Sequence, residues 1–177
     1  TGGVAVPLAL ARFDYTDVGW RQTVVAIMAA TWSLRLSRHI VLRTQGAKDD
    51  PRYAAFIKAW GNKAPLRLFV FLQAQALVGL VLAAAVMVAA HQPQPDASIL
   101  DLAGIALFIA GWMIEAISDM QLRQFKARAT AREVCDVGLW SWSRHPNYFG
   151  EWLCWCAYPV LAVAWSYPLG LVALAVQ

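Results

Sequence analysis

An all-α, polytopic transmembrane helix bundle is the fold class this sequence predicts, and three observations predict it. Hydrophobic residues make up 59% of the 177 residues and charged residues 15%, with a mean hydropathy of +0.48. Soluble domains lie nearer to about 45–50% apolar and about 25% charged. Four apolar stretches approach the roughly 20 residues that a spanning helix requires. The Lys and Arg residues also gather in alternate connections, as basic loops of antiparallel spans do. Nine Trp and five Tyr add the aromatics favoured at bilayer interfaces.

The first stretch runs from about Val18 to Val41, with its apolar centre at Thr23 to Leu34. The second, Leu66 to Ala90, is interrupted only by Arg67, Gln73 and Gln75. Glu115 and Asp119 sit in the final turns of the third, Ile99 to about Met120. The fourth begins near Asn147 and reaches Trp165, and a fifth, from Pro168 to Gln177, is too short to span. That ending, and an opening on Thr1-Gly2-Gly3 without Met, make the chain read as a single membrane-embedded domain over 1–177 cut from a larger bundle of about six to seven helices. Nothing early combines a basic start, an apolar core and a small-residue cleavage site, so no signal peptide is read.

Charge predicts the orientation. Arg35, Arg38, Arg43, Lys48, Arg52, Lys58, Lys63 and Arg67 lie in or beside the first connection. Arg123, Lys126, Arg128, Arg132 and Arg144 lie in or beside the third, whereas the second, "HQPQPDAS", has no Lys or Arg. Both large polar connections are therefore expected on the cytoplasmic side. The sequence pI of about 9.2 is then explained by orientation and by membrane lipids with anionic headgroups, and no nucleic acid is expected as a partner. Asp50-Pro51 has the form of a helix start. Tyr53, Phe56, Ile57 and Trp60 share one face, which predicts a short helix over Arg52 to Trp60 on the interface or across the cytoplasmic mouth. Cys135, Cys154 and Cys156 have no ligand spacing and read as ordinary thiols or small apolar fillers; no metal site is expected.

Three polar stripes then stand out. Glu115, Asp119, Arg123 and Lys126 share one face of the third span, with Ser118 beside them. Asn147, Glu151, Cys154 or Trp155, and Tyr158 share one face of the fourth, and Trp32, Arg35 and Arg38, with His39 near, line the end of the first. Mutual salt bridging or snorkelling to headgroups accounts for any one of these cations. Acidic residues inside spans more often mark a ligand or ion pathway. Carboxylates for hydroxyls, Arg and Lys for phosphates, and aromatic faces for a flat ring suit a dinucleotide or S-adenosylmethionine better than an ion. No soluble nucleotide-binding, hydrolase or zinc-helix motif is present.

The stretch "GLWSWSRHPNYFGEW", Gly138 to Trp152, resembles the signature of the steroid 5-alpha-reductase-like membrane proteins, closest to their DUF1295-like bacterial branch. "WSLRLSRHIVLRTQGAKDDPRYAAFIKAWG" and "SDMQLRQFKA" read the same way. The resemblance implies a membrane reductase that binds NADPH at the cytoplasmic side and reduces an activated C=C bond of a steroid-like or other lipid. By the same resemblance, Asn147, Tyr148 and Glu151 hold the cofactor with Arg144 and His145. Ser118, Asp119, Arg123 and Lys126 would contact the nucleotide, and Arg35 its phosphates. The family polarises the substrate ketone with an early Glu and Tyr. This chain has no Glu before Glu115, so the catalytic acid is unassigned. Membrane methyltransferases of the isoprenylcysteine and phospholipid type share the Arg-His-Pro-x-Tyr core and bind S-adenosylmethionine, which makes them the alternative.

Overall fold

A computed structural model describes residues 2–10, 19–44, 51–93, 96–130 and 133–163, and among these the regular structure is helical with no strand. The helices are α1 (Gly2–Leu10), α2 (Trp20–Thr44), α3 (Pro51–Trp60), α4 (Ala64–Ala90), α5 (Ile99–Lys126) and α6 (Pro146–Ala162), with 3-10 turns at Gly61–Lys63 and Gly138–Ser141. The chain is all-α. Two helical runs, Tyr53–Ala90 and Ile99–Lys126, are long and apolar enough to cross a membrane. The apolar segment expected from Pro168 onwards, and Asp50 as a helix cap, lie outside the described residues. Contacts divide the chain into two compact units, residues 1–87 and 88–177.

In the first unit α1 packs on α2. Ala5 and Ala9 of α1 are buried, as are Val25, Met28, Ala29 and Trp32 of α2, spaced by three and four so that one stripe faces inward. α3 begins at Pro51, whose fixed φ and missing N–H suit the first helical position. The Phe56 ring stacks on Trp60 with centroids 5.0 Å apart and meets Phe71 of α4 edge-on at 5.9 Å. Gly61, at φ +51°, supplies the left-handed step between α3 and α4.

The second unit is built on the α5–α6 pair. α5 starts with a reciprocal cap: Ser98 Oγ accepts from the Asp101 N–H, and Asp101 Oδ2 accepts from the Ser98 N–H at 2.8 Å. From there α5 buries Asp101, Gly104, Phe108, Gly111, Glu115 and Ser118, alternating steps of three and four. α6 answers with Gly150, Cys154, Ala157 and Leu161. The 3.5-residue average keeps one seam facing the partner helix, and its small residues allow the backbones to approach closely.

The approach is closest at two glycines. A Cβ on Gly111 would lie 2.7 Å from the Gly150 carbonyl oxygen and 2.8 Å from the Cys154 nitrogen. One on Gly150 would lie 2.6 Å from the Glu115 nitrogen. Further along, Gly104 faces Ala157 and Leu161, and the Cys154 thiol donates to the Phe108 carbonyl at 3.6 Å. The order of these contacts makes the pair antiparallel. It brings the C-terminal turns of α5, with their acidic residues, beside the first turn of α6.

Candidate functional site

α6 starts at Pro146, again a proline at the head of a helix, so that Asn147 occupies its first turn and Glu151 the next. Opposite them α5 presents Glu115, Ser118 and Asp119, which are only 4%, 0% and 6% exposed. Burial of two carboxylates and a hydroxyl in an otherwise apolar pair costs free energy unless each is satisfied. Ser118 Oγ donates to the Ile114 carbonyl and the Glu115 carbonyl of its own helix. Asn147 Nδ2 donates to Asp119 Oδ1 at 3.3 Å, a bond that spans the two helices.

That bond orients the Asn147 amide. A carboxylate accepts only, so the nitrogen must face Asp119 and the oxygen must face away. Asn147 Oδ1 is buried and has no hydrogen-bond partner among the described residues. The same is true of Trp112 Nε1, seven residues before Asp119 on α5. Buried polar atoms are nearly always paired, so such an acceptor beside a carboxylate is a place where a ligand donor gains a strong bond.

Residues on the approach to α6 are open to the surroundings. Arg144, His145 and Tyr148 are exposed, and the His145 and Tyr148 rings stack at 5.4 Å, nearly parallel at 6°. Arg123 and Lys126, one and two turns beyond Asp119, are exposed as well. The structure thus brings Ser118, Asp119, Asn147 and Glu151 to one end of the α5–α6 pair, with Arg123, Lys126, Arg144, His145 and Tyr148 on its exposed margins. Arg35 belongs to the first unit, half-buried on α2 below the buried Trp32, with Arg38 exposed and His39 half-buried.

The sequence reading missed the strap that joins the helices. Residues Gly138–Ser141 lie along α5 and are tied to it twice. The Leu139 N–H donates to Gln121 Oε1 at 3.0 Å, and Trp140 Nε1 donates to the Ser118 carbonyl at 2.9 Å. Gly138, at φ +60°, sits so close to the Gln121 amide that a Cβ there would collide with it. The sequence signal was present in the Gly138-Leu139-Trp140 run, but nothing periodic connects it to Gln121.

Residues 2–176 match the family described as a protein of unknown function, DUF1295. No curated protein and no solved structure matches the chain.

Proposed function

The chain belongs to the DUF1295 family, and from that membership and the geometry above we propose that it is a multi-pass membrane reductase. It holds NADPH at the cytoplasmic side of a bacterial inner membrane and reduces an activated C=C bond in a steroid-like or other lipid. The resemblance of Gly138 to Trp152 to the steroid 5-alpha-reductase-like signature supports this reading. The observation that carries it is the Asn147–Asp119 pair with Asn147 Oδ1 buried and unmatched among the described residues.

The residues present fit the cofactor. A carboxamide offers N–H donors that suit the free Asn147 oxygen, and ribose hydroxyls suit acidic residues such as Asp119 and Glu151. Arg123, Lys126 and Arg144 supply exposed cations for phosphates, and Arg is the better of the two types for planar, two-pronged contacts. When bound, NADPH supplies the hydride; the protein's contribution is position and surroundings. Asn147 and Asp119 fix orientation through one another, and the glycine seam holds their two helices at a set distance. The apolar walls of α5 and α6 limit water near the site.

Titration of NADPH, NADH and S-adenosylmethionine into the detergent-purified full chain, read by calorimetry, tests the proposal. The expected result is NADPH binding with NADH weaker by about tenfold or more, the loss of one phosphate contact. Binding of S-adenosylmethionine alone would assign the protein to the methyltransferases instead, and binding of none of the three would remove the reading.

A further inference from the structure

A second feature lies on the far side of α5. Gln121 follows Asp119 by two residues and so points about 200° around the helix from it. There an open groove of ≈ 630 Å³ runs along α5 past Met113, Ile114 and Ile117, walled by Leu139 and Trp142 of the strap and its following residue, with Gln121 at its end. We propose that this groove seats one anionic phospholipid, with an acyl chain along α5 and the glycerol ester and phosphate at the Gln121 end. The proposal rests on α5 crossing the membrane and not on the cofactor assignment.

Four observations favour a lipid of this class. α5 is long and apolar enough to cross a membrane, and Met113 and Ile117 on this face are exposed, so the groove opens where acyl chains would lie. From Ala110 to Gln121 it covers about 16 Å of helix, close to one leaflet of a hydrocarbon core about 30 Å thick. Its polarity is confined to one end. Gln121 Oε1 is taken by the Leu139 N–H, and its Nε2 has no acceptor among the described residues, leaving a donor for an ester carbonyl. Trp142, 90% exposed beside that end, is the side chain expected at headgroup level.

Charge selects the headgroup. Arg128 lies seven residues beyond Gln121, and its Nε donates to the Gln124 carbonyl at 3.3 Å, which turns the side chain back along the helix. Its remaining N–H groups suit a phosphate. The strap is also fixed: its two bonds and the close approach of Gly138 to Gln121 hold Leu139 and Trp140 against α5. A wall held this way makes a defined seat, unlike a smooth helix face that lipids pass over.

The test uses native mass spectrometry of the full chain in mild detergent, supplied with phosphatidylglycerol or with phosphatidylcholine of the same acyl chains. The expected result is one phosphatidylglycerol retained per chain, favoured over phosphatidylcholine by about tenfold. Ile117→Trp, which fills the groove, should lower retention by about tenfold while NADPH titration is unchanged. Arg128→Gln, a surface change, should make the two lipids equal. Leu102→Trp, on an exposed position at the other end of α5, should leave retention as it was. Equal retention of the two lipids by the unaltered chain would overturn the proposal. So would full retention in both Ile117→Trp and Leu139→Trp, or a dimer that Ile117→Trp abolishes with no change in bound lipid. Failure of the unaltered chain to bind NADPH would count against the cofactor reading alone.

Discussion

Asn147 and Asp119 are joined by a side-chain hydrogen bond of 3.3 Å between the first turn of α6 and the last buried turn of α5. The bond is the polar closure of an otherwise apolar seam, and its two ends differ in chemistry. Asn147→Ala removes a donor from a buried carboxylate and should destabilise the protein by about 1–3 kcal/mol. Asn147→Asp should destabilise it further, because two carboxylates then face one another. Unfolding in a denaturing-detergent titration checks the order. An Asn147→Asp variant as stable as the native chain would show that the two side chains do not meet.

The glycine seam predicts a sharp positional contrast. Gly111→Ala and Gly150→Ala each place a methyl group within 3 Å of backbone on the opposing helix, backbone that has no flexible side chain to give way. Overpacking of this kind costs about 1–3 kcal/mol. Gly19, just before α2, has open space where a Cβ would stand, with nothing within 4 Å, so Gly19→Ala should cost well under about 1 kcal/mol by comparison. Thermal melting of the three variants in one detergent measures the difference.

The strap predicts a local effect. Trp140→Phe keeps the ring's bulk and deletes the N–H that reaches the Ser118 carbonyl, a loss of about 1 kcal/mol. Amide exchange should rise in residues 133–143 while α5 and α6 change little, because only the strap's attachment is weakened. Uniform exchange increases across α5 would mean that the strap also supports the helix.

At the other end of α5, Ser98→Ala should cost about 1 kcal/mol, the usual worth of a capping side chain. Ser98→Asn, which retains a capping acceptor, should recover much of it. Melting temperatures of the two variants check the contrast, and an equal loss in both would assign the effect to the Asp101 side of the pair.

Much of the local structure was legible because it is periodic or positional. Pro51 and Pro146 each start a helix, as Pro does at a first helical position. The four-residue step from Glu115 to Asp119 predicted a shared face, and both residues are buried. The pairing of Asp119 with Asn147 follows from no spacing rule, since 28 residues separate them. Gly104, Gly111 and Ser118 recur every seven residues on α5, and Gly150 and Ala157 do so on α6. That repeat foretold a close helix pair but was obscured by the charged residues beside it. The strap was missed for a related reason. Its ties from Leu139 and Trp140 reach 18 and 22 residues back along the chain, and one depends on a left-handed Gly138 that only the folded backbone reveals.

The central claim is that the polar end of the α5–α6 pair holds NADPH through Asn147. The most direct measurement is NADPH titration of the unaltered chain and of Asn147→Ala, with the melting temperature of each followed with and without the nucleotide. The unaltered chain should bind NADPH and be stabilised by it, and Asn147→Ala should still fold but bind at least about tenfold more weakly. Equal affinity in a folded Asn147→Ala variant would contradict it.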